Sequence, residues 1–315
     1  MDQKKIAEMS VGDAVLGFYI LKNAVLKTTF SNKPFLSAKI QDASGSLDMV
    51  IWDYTGPIGK ADSNHIVKIM GTVTEYKDAL QVSVNKIRLA TDTDEIDVAA
   101  LAPVAPIQVD EALSKVKKLI ASIEDADYRR VAEALLDRNL AAFRNIPAAK
   151  SVHHAFLHGL LMHTCDMMED ADFLAGKYKR IINRSLLLAG ALAHDLEKSS
   201  EFAFSELGLV TDYTVKGQLL GHLVMGAQKV AVLCAELGIP EEKSILLQHL
   251  ILSHHQEPEW GAAVRPQCAE AELLSYIDLI DSRMEIYAET LDSVPAGSFS
   301  DRVFALDGRR LYRHN

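Results

Sequence analysis

The sequence predicts a multi-domain β + α protein, in which a small N-terminal β-barrel precedes an all-helical domain. Two patterns indicate this. The first 91 residues alternate apolar and polar side chains as strands do, and the rest repeats apolar side chains at helical spacing almost to the end. An acidic stretch and then two prolines separate the patterns. We therefore predict a first domain at 1–91, a linker at 92–109 and a second domain at 110–315, which suits a chain of this length.

The first domain contains about five strand segments. Ala14–Thr29 is rich in β-branched and aromatic residues, and Pro34–Asp42 alternates strictly. The remaining predicted strands are Leu47–Trp52, His65–Thr74 and Ala79–Leu89. This many strands in so short a stretch suggests a small closed barrel, and an OB-fold fits the count.

The second domain is predicted to be helical throughout. The predicted helices cover 110–123, 125–144, 151–176, 180–196, 215–238, 241–254 and 269–291. Asp110 and Pro240 lie where helices are expected to start, and Gly238 lies just past an expected end.

Composition places the chain among globular proteins with a sizeable core, since 49% of residues are hydrophobic and 24% are charged. Cys165, Cys234 and Cys268 are far apart, odd in number and lack CxxC spacing, which argues against disulfides and zinc knuckles. No apolar segment reaches the roughly 18 residues of a membrane span, and the first residues lack a signal-peptide pattern. We expect a cytoplasmic protein that does not contact membranes.

The charge is distributed unevenly. The net charge is −10, but residues 1–91 hold 11 basic and 9 acidic residues, which leaves −12 for the remainder. An acidic chain is not a general DNA-coating protein. The first domain is the better candidate for contact with a polyanion.

The doublet His194-Asp195 ends the apolar run Ser185–Ala193. A helix that is hydrophobic on all faces is buried, and polar side chains at its end are costly unless something pairs with them. A divalent metal ion would pair with both.

Further candidate ligands also follow or face apolar helical runs: His163, His222, His254, His255 and Asp278. His163 shares a helix face with Leu160, and Asp278 shares one with Leu274, so both should be buried. Taken singly, His163 could equally be a core histidine bonded to a carbonyl. Asp281 is the weaker carboxylate candidate. Three other histidines should line a cleft or cap a helix: His153, His154 and His158.

Together these residues predict a metal site. Imidazole and carboxylate donors suit Mn²⁺, Fe²⁺, Co²⁺, Ni²⁺ or Zn²⁺. The donors outnumber the needs of one ion, so two ions bridged by a carboxylate are plausible. Such a pair stabilises both the attacking and the leaving oxygen of a phosphoryl transfer.

The ordered series resembles the HD-domain metal-dependent phosphohydrolases, and its sequence contexts resemble the YhaM-type 3′–5′ exoribonucleases, which also carry an N-terminal OB-like domain. The contexts are Leu-Leu-Met-His163-Thr, Ala-His194-Asp195-Leu-Glu197-Lys198, Gln-Leu-Leu-Gly-His222, Leu-Ile-Leu-Ser-His254-His255 and Glu272-Leu-Leu-Ser-Tyr-Ile-Asp278. The resemblance implies an HD-type helical domain and an exonuclease acting on single-stranded RNA, and often DNA, from the 3′ end. Mn²⁺ is the implied metal, with Mg²⁺ added to the alternatives above. A homo-oligomer stays open.

The resemblance also implies roles for individual residues. The core metal site would consist of His163, His194, Asp195 and Asp278, with Asp195 as the bridge. The second ion would be held by His222, His254 and His255. Lys198 would contact the scissile phosphate; its alternative is a solvated lysine after a helix end. Two positions depart from the family, which usually has glycine where Glu197 and Gln256 stand, and both bear on substrate preference and rate.

The barrel carries candidate contacts for a single strand, because OB barrels stack bases on aromatic side chains above a basic groove. The candidates are Lys27, Phe30, Lys33, Phe35, Lys39 and Trp52, with Tyr54 and Tyr76 nearby. The alternative is that the aromatic residues belong to the core and the lysines form a solvated face. Two further functions stay open: an HD-type phosphohydrolase of small nucleotides, and a non-catalytic nucleic-acid-binding protein.

Overall fold

The computed structural model describes residues 3–77, 79–91, 93–102, 104–149, 156–205, 208–292 and 294–315. The chain divides into two compact units. The first comprises Met1–Val104 with Phe204–Thr211, and the second comprises Ala105–Ala203 with Asp212–Asn315. The boundary between the units at Val104 and Ala105 falls within the predicted linker at 92–109. The bounds of that linker stay a prediction.

The first unit is a closed five-stranded barrel. Its strands are β1 (Ala14–Thr28), β2 (Pro34–Asp42), β3 (Gly45–Trp52), β4 (Ile66–Tyr76) and β5 (Ala79–Leu89). The strand order is β1-β2-β3-β5-β4, with β4 closing on β1, and only the β3–β5 pairing is parallel. The predicted barrel of the OB type is confirmed.

Strict alternation in β2 explains how the barrel separates its core from its surface. Leu36, Ala38 and Ile40 are buried inside, so the residues between them face outward. On that outer side Phe35 lies opposite Trp52 of β3, and their ring centroids are 5.1 Å apart.

The second unit is mainly helical, and every predicted helix is present. After the short helix α1 (Val98–Leu101) of the first unit, the helices are α2 (Val109–Ala121), α3 (Ala126–Asn145), α4 (Gly159–Lys177), α5 (Arg184–Ala193), α6 (Lys198–Glu201), α7 (Val215–Leu237), α8 (Glu241–Ser253) and α9 (Ala269–Asp292). The predicted end signals hold, because Asp110 lies in the first turn of α2 and Gly238 closes α7 at φ +64°.

Three helix bounds differ from the prediction by three residues or more. Helix α4 begins at Gly159 rather than at 151, because His158 adopts a left-handed conformation at φ +65°. Helix α5 begins at Arg184, where Asn183 accepts a hydrogen bond from the backbone of Leu186, and it ends before the doublet. His153 and His154 lie outside the described residues.

Short strands complete the fold, none of which the periodicity predicts. Strands β6 (Phe202–Phe204) and β7 (Val210–Tyr213) form one two-stranded sheet, and β8 (Ser298–Val303) and β9 (Arg309–Arg313) form another. The second pair lies beyond the last predicted helix.

Helix α7 corrects the expectation that no apolar segment is long enough to span a membrane. Val215–Leu237 is long and apolar enough to cross a membrane, although Gly221 interrupts the helix with non-helical torsions. Length and composition alone are weak evidence for a membrane span, because core helices of soluble proteins share them. Here the helix places His222 in a buried position.

Candidate metal centre

His194 and Asp195 follow directly on α5, a helix with nine of its ten residues buried. His194 closes the helix by donating its backbone N–H to the Gly190 carbonyl at 2.9 Å. Its ring Nδ1 lies 2.8 Å from the Ala191 carbonyl, so Nδ1 carries the proton and Nε2 is left as a bare nitrogen. The local fold therefore presents this imidazole in the form that binds metal ions.

The Asp195 carboxylate is the centre of the cluster, because each of its oxygens faces a different pair of histidines. Oδ2 lies 3.5 Å from Nε2 of His163 and 3.4 Å from Nε2 of His194. Oδ1 lies 3.3 Å from Nε2 of His222 and 3.7 Å from Nε2 of His254. This arrangement is the one a bridging carboxylate needs.

The predicted ligands come together in two groups, in each of which the potential ligating atoms lie within 4.8 Å of one another. The groups are His163, His194 and Asp195, and His222, His254 and His255. They match the two sets that the family resemblance implies, except that Asp278 is not in the first group. The assignment of an ion to each set stays a prediction.

The chemistry of these atoms fits a divalent cation. Among the described residues, four buried polar atoms have no hydrogen-bond partner: Asp195 Oδ1, His222 Nε2, His254 Nε2 and His255 Nδ1. Buried atoms of this kind are normally satisfied, and these four belong to the same cluster. In addition, Nε2 of His163 lies 3.0 Å from the bare Nε2 of His194, a contact that requires a proton or a cation between the two atoms.

Contacts behind the cluster hold the imidazole rings in place. His163 Nδ1 lies 2.6 Å from Asp281 Oδ2, His222 Nδ1 lies 3.0 Å from Glu201 Oε2, and His254 Nδ1 lies 2.8 Å from the Ile251 carbonyl. Each contact fixes the tautomer that turns Nε2 toward Asp195. The two carboxylates thus orient ligands from behind.

Sequence reasoning missed these orienting roles. Asp281 was expected only as a weaker ligand, one turn beyond Asp278, and the structure places it behind His163. Glu201 was not predicted at all. It lies in the one-turn helix α6, too short to show a helical period, so no sequence signal marked it.

Asp278 is less buried than its helix face predicts. Its side chain is 20% exposed, and Oδ1 lies 3.5 Å from His163 Nε2. The reason is that this face of α9 borders a cavity of about 250 Å³ that His255 and Lys198 also line. Asp278 therefore lies at the boundary between the cluster and open space.

Lys198 is not the solvated lysine that a helix end would give. Its side chain is only 14% exposed, and Nζ donates to Asp195 Oδ2 at 2.6 Å. Burial alone would lower its pKa, but the Asp195 carboxylate outweighs burial and raises the pKa above its usual value. Lys198 also lines a second cavity of about 540 Å³, next to His222. The ammonium therefore stays charged beside both cavities.

Burial and neighbouring charges separate the protonation states of the histidines. Burial, with His255 and His194 nearby, lowers the pKa of His254 well below 6.5, and burial with His222 lowers the pKa of His255 to about 4. Both rings are therefore neutral at pH 7. Burial would also lower the pKa of His163, but hydrogen bonds to Asp195 and Asp281 raise it to about 10. A cation must therefore compete with a proton at His163.

Glu197, which replaces the family's usual glycine, does not point to solvent. Its carboxylate is buried and paired with Lys229 of α7, whose Nζ also donates to Asn139 Oδ1 at 2.6 Å. The negative charge is thus compensated by a partner on a different helix. A phosphate that approached Lys198 would therefore not meet an uncompensated negative charge at Glu197.

Gln256, the other departure from glycine, adopts a left-handed backbone at φ +66°. Its N–H bonds the Ser253 carbonyl at 2.8 Å and turns the chain directly after His254 and His255. Left-handed torsions are unfavourable for residues with a Cβ. A glycine would form this turn without strain, whereas Gln256 forms it with some strain.

His158, expected to line a cleft or cap a helix, occupies the N-cap position of α4. Nδ1 lies 2.7 Å from the Arg144 carbonyl, and the side chain makes no capping bond to α4. It lies directly before α4 but belongs to neither group of potential ligands.

The barrel exposes most of the predicted strand contacts. Phe30 and Trp52 are exposed, as is Tyr76, while Phe35 and Tyr54 are half-buried. The alternative that these aromatic residues form the core is therefore wrong for Phe30, Trp52 and Tyr76, whereas Tyr54 packs against the barrel core. Phe30 lies in the loop between β1 and β2, one of the loops with which OB-folds bind oligonucleotides.

Lys27 lies on β1, Lys39 lies on β2 and Lys33 lies in the loop between them. Two of these three lysines form ion pairs. Lys33 Nζ lies 3.4 Å from an Asp53 oxygen, and Lys39 Nζ lies 3.2 Å from Asp48 Oδ1. Lys27 Nζ lies 3.4 Å from Ser37 Oγ. The two ion pairs are solvent-exposed, so a phosphate could replace the aspartate at little cost.

Comparison with known families agrees with this architecture. Residues 160–283 match the HD domain, and residues 23–90 match the OB-fold nucleic acid binding domain. The first range contains every potential ligand from His163 to Asp278. The HD domain indicates a metal-dependent phosphohydrolase, and the OB-fold adds a nucleic-acid-binding domain.

Solved structures also resemble the chain. The second OB-fold domain of replication protein A from Methanococcus maripaludis is 16% identical, over 30% of this chain and 100% of that one, with a TM-score of 0.23. An OB domain from Thermoplasma acidophilum is 17% identical, over 31% of this chain and 92% of that one, with a TM-score of 0.25. A replication protein A heterotrimer bound to ssDNA is 16% identical, over 27% of this chain and 62% of that one, with a TM-score of 0.21.

The Glu197–Lys229 pair predicts a specific pattern of stabilities. Lys229→Met should lower the free energy of unfolding by about 2 kcal/mol, because it leaves a buried carboxylate unpaired; the value is below that of fully buried pairs because Lys229 is 32% exposed. Adding Glu197→Gln should recover most of the loss. Urea unfolding measures both, with Lys216→Met on the same helix as the control. A double variant no more stable than Lys229→Met would contradict the pairing.

The left-handed turn makes a second prediction. Gln256→Gly should leave the free energy of unfolding unchanged or raise it by up to about 1 kcal/mol, because glycine accepts positive φ. Gln256→Val should lower it, because a β-branched side chain suits that region worst. Thermal unfolding of both variants checks this, and destabilisation by glycine would disprove strain at this position.

Proposed function

We propose that the protein is a metal-dependent 3′–5′ exonuclease that hydrolyses single-stranded RNA, and also single-stranded DNA, to nucleoside 5′-monophosphates in the cytoplasm. One observation supports it above the others: Asp195 directs its two oxygens at two sets of imidazoles beside a charged lysine. This centre is combined in one chain with an OB-type barrel.

In this proposal the residues around Asp195 hold two divalent cations, with Mn²⁺ as the favoured ion. His163, His194 and Asp278 supply one set of ligands, and His222, His254 and His255 supply the other. When bound, the ions would polarise the phosphate and lower the pKa of a water molecule. Asp281 and Glu201 keep two of the rings turned toward the centre.

Lys198 binds the substrate phosphate in this proposal. Its Nζ now lies on Asp195 Oδ2, and the side chain borders both cavities next to the cluster. The flexible lysine stem lets the ammonium move from the carboxylate to a phosphate oxygen. There it would stabilise the charge that develops as the phosphodiester bond breaks.

The barrel holds the single strand in this proposal. Phe30 and Trp52 offer exposed rings for base stacking, and Phe35 supports the Trp52 ring from the neighbouring strand. Lys27 on β1, Lys39 on β2 and Lys33 in the loop between these strands would contact the phosphate backbone.

Degradation of a 5′-labelled single-stranded oligonucleotide tests the proposal, with free nucleoside triphosphates as competing substrates and a panel of divalent metals. A ladder that shortens from the 3′ end supports it. Turnover of free nucleotides alone would instead indicate a small-nucleotide phosphohydrolase. Strand binding without turnover under any metal would indicate a non-catalytic binding protein. Either result would overturn the proposal.

We predict that Asp195→Ala abolishes hydrolysis and leaves binding of the single strand intact. Removal of a residue that orients a metal ligand lowers activity by up to roughly 100-fold. The rate of hydrolysis should fall further in this variant, because Asp195 is shared by both sets of ligands. Oligonucleotide hydrolysis and fluorescence anisotropy measure the two properties, with the exposed Asp137→Ala as control. Undiminished hydrolysis in Asp195→Ala would exclude this centre.

The exposed aromatic residues of the barrel predict a loss of affinity. Phe30→Ala and Trp52→Ala should each weaken strand binding by about 1–3 kcal/mol, the value of one base stacked on an aromatic ring. Anisotropy with a labelled single strand measures it. Phe173→Ala, an equally exposed ring on α4, should bind as the wild type does. Equal losses in all three variants would argue against a specific barrel surface.

A further inference from the structure

The C-terminal hairpin β8–β9 is a separate feature that the metal centre does not use. A small apolar cluster fixes it to α9, in which Leu306 and Leu311 pack against Ile286. Arg313 adds three contacts from NH1 to backbone carbonyls around the end of α9, the shortest to Val294 at 2.8 Å. The hairpin is therefore held firmly on the helix that also carries Asp278.

The outward face of this hairpin combines two aromatic rings with two arginines. Phe299 lies opposite Tyr312, and Arg302 lies opposite Arg310. The two rings are exposed, with centroids 5.0 Å apart, and the Arg310 guanidinium lies 5.8 Å from the Phe299 centroid. We call these four residues the hairpin face.

The pairing of Arg302 with Arg310 places like charges directly opposite each other, which destabilises a two-stranded ribbon. Among the described residues, no carboxylate lies within ion-pair distance of either guanidinium. By contrast, Arg309 on the inner side pairs with Asp307 at 3.2 Å. The hairpin face thus concentrates positive charge that an anion would neutralise.

The positive charge of the hairpin contrasts with the negative charge of the whole chain. Residues 298–315 contain four arginines and two aspartates, whereas the chain as a whole carries −10. A ligand that offers only phosphate groups would contact the arginines and leave the aromatic rings unused. An acidic peptide would also pair with the arginines without requiring exposed aromatic rings. A single strand offers both phosphates for guanidinium groups and bases for exposed rings.

We propose that the hairpin face is a second contact for single-stranded nucleic acid, apart from the barrel. The inference rests on the proposed nuclease function, because the strand it holds is the one delivered to the metal centre. From Asp278 to the end of α9 is 14 residues, or about 21 Å along the helix axis. A strand in the centre can therefore reach the hairpin only if it extends well beyond its terminal nucleotide.

The test measures binding separately from hydrolysis. The full chain, loaded with Mn²⁺, is titrated with a labelled strand longer than the roughly 16 nucleotides that the largest OB sites take, made resistant to hydrolysis by phosphorothioate linkages. The variants are Arg302→Gln/Arg310→Gln and Phe299→Ala/Tyr312→Ala. Lys179→Gln/Arg180→Gln removes the same charge from an exposed turn and serves as control.

The expected result has two parts. The aromatic variant should bind about fivefold or more weakly. The arginine variant should lower the slope of log affinity against log salt concentration by about 1.4, since each phosphate contact of a single strand contributes about 0.7. The control should keep both the wild-type affinity and most of the slope. Circular dichroism confirms that each variant is folded.

Two outcomes would overturn the inference. Affinity and slope equal to those of the control would show that the strand does not touch the hairpin face. A change confined to self-association in sedimentation, with strand affinity unaltered, would make the face a protein interface. If no oligonucleotide is hydrolysed but the hairpin variants still lose affinity, the nuclease proposal fails while this contact stands.

Discussion

The interaction on which the helical unit depends is the burial of one carboxylate, Asp195, among imidazoles and an ammonium group. Helix α5 is buried, so whatever follows it is carried into the core. A buried carboxylate is costly unless compensated. Burial would raise the pKa of Asp195, but the ammonium of Lys198 and the contacts with His194 and His163 hold it well below its usual value. The cluster is therefore a consequence of where α5 ends.

Compensation then spreads outward through a second ring of partners. Asp281 and Glu201 fix the outer nitrogens of two histidines, and Lys229 neutralises Glu197 behind the doublet. These partners come from three different helices, α9, α6 and α7. Their arrangement ties the geometry of the centre to the packing of the helices, so that the centre and the fold are stabilised by the same contacts.

The sequence is sufficient to predict the inner residues of this centre and not the outer ones. His163, His194 and His254 follow or face apolar runs, where a polar side chain is conspicuous. Glu201 lies among other polar residues, whereas Lys229 lies in a mostly apolar helix. The roles of both depend on which helices meet, and periodicity does not contain that information. The left-handed torsions of His158 and Gln256 are likewise decided by tertiary context. In the barrel, strict alternation in β2 was enough to separate core from surface.

Charge limits how the protein can hold a polyanion. The chain is acidic overall, and two of the three barrel lysines already face aspartates, so long-range attraction contributes little and a phosphate must replace an existing partner. Stacking on exposed rings requires no such exchange, because it depends on surface that the fold leaves uncovered. Affinity for a single strand should therefore rest more on Phe30 and Trp52 than on Lys33 and Lys39. Duplex DNA should bind less well than a single strand, because its stacked bases cannot reach those rings.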